Sequence, residues 1–462
     1  MNATIARFKQ GSVDRSILNA VAAVTIAGIV VKLVATGKEF AVAGVYGRSD
    51  AMDAFLAAAL IPGLLINLIS ESMNQALIPT LVRVRECEGL ERAQQLLSSA
   101  MAWTCALLIV ASLAMALLAP AFFPLIASHF PAVKLSLSIR LFYGLLPVVV
   151  LTGIATNCTA VLNTNGRFAL PALAPVVTPL AIMFSASPLS HRFGIWAMVY
   201  TMLAGASLHA SSMIWMMNSY GYRFSVRWHG MNEATREVAH QYGPVLLSSV
   251  VASGGLLVDQ SMAAMLPAGS VSALAYAGRF VSVVLTLLAG AVSAAVVPNF
   301  AEMIAHKDWV GCRDTLQTWG ALTALVSVPI AAALVLAAHL LIKTAFEHGA
   351  FGPGDTAVVT PVLAMYALQI PFFVCSRVFY RFLVAMRRTD LIFYCGALNL
   401  GLDVVLNLVL MRWFGVAGIA LATSLWTVST LIFLLYWSRK VLRSASQRGS
   451  TRSGSAESRG AR

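Results

Sequence analysis

The feature that most constrains this chain is a series of long apolar stretches that contain few charged residues. Each stretch is continuous rather than alternating between apolar and polar positions, which favours helices over β-strands. A helix needs about 20 such residues to cross the hydrocarbon core of a bilayer. The sequence therefore predicts twelve membrane-spanning helices. Their expected positions are residues 16–37, 51–79, 93–119, 136–162, 168–187, 194–218, 238–265, 271–300, 315–342, 357–384, 390–411 and 415–437.

Composition and charge agree with an integral membrane protein. Hydrophobic residues make up 59% of the chain and charged residues only 11%, whereas soluble domains carry about 25% charged residues. An even number of spans puts both termini on one side. If that side is the cytoplasm, the inner loops hold most of the 32 Lys and Arg residues, which is the positive-inside pattern. This distribution explains the net charge of +13 without a nucleic-acid partner.

The chain also repeats itself. Residues 49–81 resemble residues 269–301, with Pro79 matching Pro298, and residues 143–171 resemble residues 366–393 in the same order. Chance similarity between apolar helices is the alternative, but two ordered matches favour a duplication of six spans. The sequence therefore predicts an all-α polytopic membrane protein with two six-helix lobes, related as parallel repeats around a central cavity. Transporters built in this way bind their substrate between the repeats.

These patterns divide the chain into five parts. The last part is rich in Ser, Gly and Arg without apolar periodicity, which predicts disorder. The expected parts are a cytoplasmic segment 1–15, an N-terminal lobe 16–220, a cytoplasmic linker 221–237, a C-terminal lobe 238–440 and a basic tail 441–462.

Several charged residues lie inside or at the ends of predicted spans. A charge at this depth costs about 2.5–3.5 kcal/mol on insertion scales, so by default it faces a water-filled cavity and marks the path of a ligand or ion. Lys32, Lys38 and Arg279 form a basic set that suits a phosphate-bearing ligand, and the guanidinium of Arg279 can donate two hydrogen bonds to a phosphate. The acidic candidates, which would orient these cations or bind a coupling proton or cation, are Asp53, Glu71, Asp259 and Glu39.

More ordinary roles remain open for these residues. The whole set can form buried ion pairs that only hold helices in register. Lys38 and Glu39 can mark a helix end at the membrane interface. For Asp403, which has Asn399 and Asn407 four residues to either side, hydrogen bonding between helices is the favoured interpretation.

Sequence motifs of enzymes and cofactor sites are absent. The sequence has no Walker A loop, no H-E-x-x-H and no G-x-S-x-G, so we expect neither ATP hydrolysis nor these hydrolytic chemistries. The six cysteines are scattered without metal-like spacing and are interpreted as small buried hydrophobic residues. We therefore expect no enzyme activity, no cofactor and no bound metal.

The stretch YGRSDAMDAFLAAALIPGLLINLISESMNQALIPTL at 46–81 resembles the signature of the MurJ/MviN flippases, the lipid II carriers of bacterial peptidoglycan synthesis. The resemblance runs from about Ser16 to Arg439 and implies membership of the multidrug/oligosaccharidyl-lipid/polysaccharide exporter superfamily. Further matching stretches are LNTNGRFALPALAP at 162–175, YGPVLLSSVV at 242–251, GSVSALAYAGRFVSVVLTLLAGAVSAAVVPNF at 269–300, FEHGAFGPGDTAVVTPVLAMYALQIPFF at 346–373 and GVAGIALATSL at 415–425.

This resemblance implies a carrier in the bacterial inner membrane. Such a carrier moves a polyprenyl-diphosphate-linked saccharide from the inner to the outer leaflet by alternating access, as a monomer among membrane lipids and driven by membrane potential or an ion gradient of protons or sodium. In the family, basic residues on the first span and near the start of the eighth hold the diphosphate. Lys32, Lys38 and Arg279 correspond to these positions, and Arg377 falls at another basic position on the tenth span.

The sequence also departs from the family pattern. Lys32 and Lys38 stand where the family usually has arginines, Ile66 stands where an arginine is common, and Gly278 replaces an acidic neighbour of Arg279. The matched stretches do not include the family's usual last two spans. These differences keep three alternatives open: an exopolysaccharide or O-antigen repeat-unit flippase, a multidrug or cation antiporter of the same superfamily, and a membrane scaffold without transport activity.

Overall fold

The computed structural model describes residues 26–166 and 168–460. In these ranges all the regular structure is helical, without a β-strand. The expected segment 1–15 and residues 16–25 of the first predicted span lie outside the described residues. The helices, numbered in chain order, are α1 (26–46), α2 (Asp50–Glu88), α3 (Leu90–Ile126), α4 (Ala132–Thr164), α5 (Ala169–Ser185 and Ser187–Phe193), α6 (Trp196–Ser219), α7 (Glu233–Ala263), α8 (Ser270–Ala305), α9 (Trp309–Leu336), α10 (Ala338–Phe346), α11 (Pro353–Ala367), α12 (Gln369–Ala385), α13 (Thr389–Phe414) and α14 (Val416–Gly460).

Most of these helices are long and apolar enough to cross a membrane. Within the described ranges nine helical segments pass this test, and α5 makes a tenth if its two parts form one span. The two parts of α5 are bent by 65°, and Pro188 beside the bend has no backbone N–H to continue the helical hydrogen bonding. The chain is thus a multi-pass membrane protein, while the number twelve stays a prediction.

Local sequence explains how α2 begins and where it changes geometry. The hydroxyl of Ser49 accepts a hydrogen bond from the backbone N–H of Met52 at 3.3 Å, and Asp50 and Asp53 lie in the first turn, where negative charge favours a helix. Further along, residues Ile66–Glu71 form a π-helical segment inside the helix. Such a segment inserts one residue into a turn and shifts which side chains face the neighbouring helices.

The chain divides into two compact units. The first contains the described residues up to Ser253, with Pro267–Ser272 and His348–Gly352. The second contains Gly254–Leu266, Ala273–Glu347 and the described residues from Pro353 onward. The lobe boundaries expected from sequence stay predictions.

The core of the first unit lies among α2, α3, α4, α6 and the start of α7. Leu77 from α2, Leu97 from α3, Leu162 from α4 and Met213 from α6 are almost fully buried in one cluster. Close van der Waals packing of this kind holds helices together in lipid, where no hydrophobic driving force acts between them.

The segment between α6 and α7 is held along the start of α3. Gln94 donates a hydrogen bond to the carbonyl of Arg223 at 2.7 Å and accepts one from its N–H at 2.9 Å. Ser98 accepts from the N–H of Arg227, and Ser99 accepts from the N–H of His229, both at 3.1 Å. The first part of the predicted linker is therefore fixed to α3, and its last residues from Glu233 belong to α7.

A polar and sulfur-containing contact joins α9 to α12 in the second unit. The hydroxyl of Thr323 lies 3.3 Å from the sulfur of Cys375, and the same sulfur lies 3.5 Å from the carbonyl of Gly320. Gly320 has no side chain, so the ring of Phe379 approaches α9 closely at this position.

The last helix, α14, is joined to two neighbours by side-chain hydrogen bonds. Ser424 donates to the carbonyl of Met365 on α11 at 2.6 Å, and Asn399 on α13 donates to Thr430 at 2.8 Å. The structure continues α14 to Gly460, although only Val416–Ala445 has the hydropathy of a span. The disordered tail expected from residue 441 stays a prediction.

Candidate functional site

On α1, two of the predicted site residues form an ion pair with each other. Lys38 Nζ lies 2.8 Å from Glu39 Oε1, and Glu39 is only 4% exposed. Six residues before Lys38, Lys32 is half-buried, and its carbonyl accepts a hydrogen bond from Thr36 at 2.9 Å. The helix therefore carries one basic residue paired with its neighbour and a second basic residue that is half-buried.

Asp53 on α2 is 1% exposed and lies among hydrogen-bond donors. Its Oδ2 accepts from the backbone N–H of Gly269 at 2.6 Å, and its Oδ1 accepts from that of Ser272 at 2.9 Å. These N–H groups belong to the start of α8, where unpaired donors and the helix dipole favour an anion. The Asp53 carboxylate thus caps α8 from another helix.

Lys134, which the sequence analysis missed, completes the environment of Asp53. Its Nζ lies 3.1 Å from Asp53 Oδ2 and 2.7 Å from Asp50 Oδ1, and it sits 4.0 Å from the centre of the Phe130 ring. The ammonium group is almost completely buried. This geometry favours the buried-ion-pair interpretation for Asp53.

Glu71, at the end of the π-helical segment, has a different environment. Its side chain is exposed, while Ser70 and Ser72 on either side are fully buried. The hydroxyl of Ser72 lies 2.9 Å from that of Ser249 on α7. The altered turn therefore places an acidic side chain away from the packed core in the middle of a membrane-crossing helix.

Arg279 and Arg377, the two basic candidates of the second unit, differ in how exposed their side chains are. Arg279 on α8 is exposed. The guanidinium of Arg377 on α12 lies 4.0 Å from the ring centre of Phe373 and 5.5 Å from that of Tyr380, so two aromatic faces hold it by cation–π contacts. Its Nε–H is buried without an acceptor among the described residues. An unpaired buried donor on a fixed cation suits an anionic ligand.

Two buried carboxylates from different helices meet in the second unit. Asn407 on α13 donates from one amide nitrogen to Asp259 Oδ1 at 2.9 Å and to Asp403 Oδ1 at 3.1 Å. Thr423 on α14 donates to Asp259 Oδ2 at 3.3 Å. The predicted hydrogen bond between Asp403 and Asn407 is present, but the sequence did not indicate that Asp259 and Thr423 join it.

This carboxylate cluster has more acceptors than donors. Asp403 Oδ2 and Asn407 Oδ1 are buried and receive no hydrogen bond from any described residue. The described part of the chain brings no three His, Cys, Asp or Glu side chains into a metal-binding group. A pair of carboxylates beside amide and hydroxyl oxygens can be satisfied by a proton or by an oxygen-bound cation.

Comparison with known proteins identifies the family. The family model described as "Lipid II flippase MurJ" matches residues 42–454. The chain belongs to the MurJ lipid II flippase family. The resemblance seen in the sequence is thereby confirmed.

Individual MurJ relatives are distant in sequence but similar over most of their length. A probable lipid II flippase MurJ of Buchnera aphidicola (subsp. Acyrthosiphon pisum, strain APS) is 22% identical over 92% of this chain and 85% of its own. The lipid II flippase MurJ of Burkholderia cenocepacia is 26% identical over 76% of this chain and 70% of its own.

Solved structures support the same fold. A lipid II flippase MurJ in an inward closed conformation superposes with a TM-score of 0.78 at 22% identity, covering 92% of this chain and 90% of its own. An inward-facing multidrug resistance MATE family transporter superposes with a TM-score of 0.72 at 12% identity, covering 91% and 96%. The predicted all-α polytopic class is confirmed, and the non-MurJ alternatives are not favoured.

Proposed function

We propose that this MurJ-family protein is a lipid II flippase. It moves a polyprenyl-diphosphate-linked saccharide from the inner to the outer leaflet by alternating access, and it makes or breaks no covalent bond in doing so. The match of the family model over residues 42–454 carries this proposal. An exopolysaccharide repeat-unit flippase and a multidrug antiporter have no comparable support among the relatives.

The diphosphate of the carried lipid is assigned to Lys32, Lys38, Arg279 and Arg377. Arg377 has the strongest structural argument, because its Nε–H is buried and unpaired while two rings fix its guanidinium. Glu39 holds Lys38 and competes with the phosphate for it. We assign Asp53 to holding the start of α8, and we retain Glu71 as an acidic group that responds to the coupling ion.

An Arg377 series tests this assignment. Arg377→Ala should lower the flipping rate about tenfold or more, since a hydrogen bond to a charged group is worth about 1.5–3 kcal/mol. Arg377→Lys should recover only part of that rate, because lysine lacks the forked N–H donors of a guanidinium. The measurement is growth of cells depleted of their own flippase, together with the appearance of lipid II in the outer leaflet. Arg388→Gln, which removes an exposed guanidinium paired with Asp390, is the matched control. Full activity of Arg377→Ala would show that Arg377 does not bind the diphosphate.

The carboxylate cluster is assigned to the coupling ion, a monovalent cation or a proton. A charge moved through the membrane potential gains about 2.3 kcal/mol per 100 mV, and the unpaired acceptor oxygens of Asp403 and Asn407 need such a charge. Asp403→Asn should therefore abolish stimulation of flipping by an imposed ion gradient in vesicles. Asp390→Asn on the same helix, an exposed residue, should keep it. Equal stimulation in both variants would place coupling elsewhere.

The protein acts in the bacterial inner membrane with both termini in the cytoplasm, as a monomer among membrane lipids. The nine or ten candidate spans found between residues 26 and 460 and the MurJ relatives support the multi-pass membrane location. The distribution of Lys and Arg supports the orientation.

A further inference from the structure

A cavity of about 930 Å³ opens in the second unit between α9, α12 and α14. One part of its lining is apolar, with Leu316 from α9, Phe379 from α12, and Leu431 and Leu435 from α14. The contacts of Cys375 with α9 close this part on one side. The cavity is separate from the residues assigned above to the diphosphate and to the coupling ion.

The other part of the lining is basic. Arg313, Arg439 and Arg443 line it and are exposed, and Asp314 is the single acidic residue there. Among the described residues, none of the three guanidinium groups forms an ion pair or donates a hydrogen bond to another side chain. The three positive charges therefore repel one another, and an anion bound in the cavity would offset this repulsion.

Two buried polar groups in the lining point to a ligand independently of the charges. Ser438 is fully buried and its hydroxyl has no hydrogen-bond partner among the described residues. Trp309 Nε1, which is a donor only, is also buried and unpaired there. Both residues line the cavity. A buried donor left unpaired costs about 1–3 kcal/mol, so acceptor atoms of a bound molecule are expected beside them.

We propose that this cavity binds an anionic glycerophospholipid of the cytoplasmic leaflet. The arginines hold its phosphate, Ser438 and Trp309 donate to its ester oxygens, and an acyl chain lies along the leucines of α14. A basic pocket between membrane helices on the cytoplasmic side is the usual place for such headgroups. Free phosphate matches the charge of the arginines, but without an acyl chain along the leucines of α14 it should bind too weakly to raise the unfolding temperature. The cytoplasmic position rests on the orientation given above, and the lipid site does not depend on which cargo is flipped.

Native mass spectrometry of the full-length protein in nanodiscs or detergent tests the proposal with phosphatidylglycerol and phosphatidylcholine as probes. Wild-type protein should retain phosphatidylglycerol in preference to phosphatidylcholine. Arg313→Gln and Arg439→Gln should each weaken phosphatidylglycerol binding about fivefold, the effect of one basic residue near an anionic lipid surface. Lys440→Gln removes the same charge from the same turn of α14 but lies over Trp437 and outside the cavity lining, so binding should be unchanged.

Two further measurements separate the lipid from other occupants and from misfolding. Trp309→Phe and Ser438→Ala should reduce the rise in unfolding temperature caused by phosphatidylglycerol without lowering the unfolding temperature in its absence, because each removes a buried donor that is unpaired without the lipid. Inorganic phosphate alone should give no such rise. Four outcomes would overturn the proposal. The first two are equal binding of both lipids and an equal loss of phosphatidylglycerol binding in Lys440→Gln. The other two are a rise in unfolding temperature with inorganic phosphate alone and a dimer mass that disappears in Arg439→Gln, the sign of a second copy of the chain in the cavity.

Discussion

Buried charged side chains in this protein fall into two groups according to whether their partners are complete. Asp53 has three donors and the Lys38–Glu39 pair neutralises itself. Arg377 and Asp403 keep buried polar atoms without a described partner. An incomplete buried charge is costly, so the second group is where a ligand or ion has most to gain by binding.

The Asp53 environment predicts a purely structural effect of substitution. Asp53→Asn leaves Lys134 buried with only the exposed Asp50 as an ionic partner, so it should lower the free energy of unfolding by about 3 kcal/mol. Asp50→Asn, at a 64% exposed side chain, should cost less than about 1 kcal/mol. Thermal unfolding of the purified protein in detergent measures both.

The transport rate of the same variants distinguishes a structural role of Asp53 from a role in transport. If Asp53 only holds the start of α8, Asp53→Asn protein that remains folded should still flip lipid. A variant as stable as wild type but inactive would instead restore Asp53 to the coupling role expected from sequence.

The positions of these charges could be predicted from sequence, but their partners could not. Asp53 and Asp259 stand out because apolar residues surround them. The donors to Asp53 include backbone N–H groups of Gly269 and Ser272, which have no sequence signature. Lys134 lies just before the span predicted at residues 136–162 and is not among the charges inside the predicted spans. Only the folded chain shows that these groups meet.

The apolar stretches of the sequence predict where each helix lies more accurately than where it begins and ends. The second span was predicted at residues 51–79, whereas α2 continues to Glu88 through Arg83 and Arg85. Hydropathy detects the part of a helix that lies in lipid. Backbone hydrogen bonding continues beyond the lipid wherever the residues are good helix formers, as Arg and Glu are. The π-helical segment left no signal in the hydropathy.

The segment between α6 and α7 is attached to α3 through the hydroxyls of two serines. Ser98→Ala combined with Ser99→Ala removes the acceptors of the Arg227 and His229 N–H groups, so this segment should detach more often. Trypsin added to inverted vesicles should then cut after Arg223 and Arg227 several times faster than in wild type. Ser211→Ala, whose hydroxyl bonds only within α6, is the control. Unchanged cleavage would show that apolar packing holds the segment.

The arrangement of the whole molecule in the membrane rests on the distribution of basic residues, and its cysteines allow a direct test. Cys87, near the end of α2, is exposed, whereas the other five cysteines are buried. Arg83, Arg85 and Arg92 surround the turn that contains it, so the positive-inside pattern predicts that Cys87 faces the cytoplasm.

A membrane-impermeant maleimide should therefore label the protein in inverted vesicles and leave it unlabelled in intact spheroplasts. Cys87→Ser should remove the labelling, because a buried thiol does not meet the reagent. Each successive span crosses the membrane in the opposite direction. Once the number of spans is known, the side of the membrane on which this turn lies therefore determines the side of every other loop. Labelling in spheroplasts would invert the topology and would place the arginine-lined cavity of α9 and α14 in the outer leaflet, away from the lipids proposed to fill it.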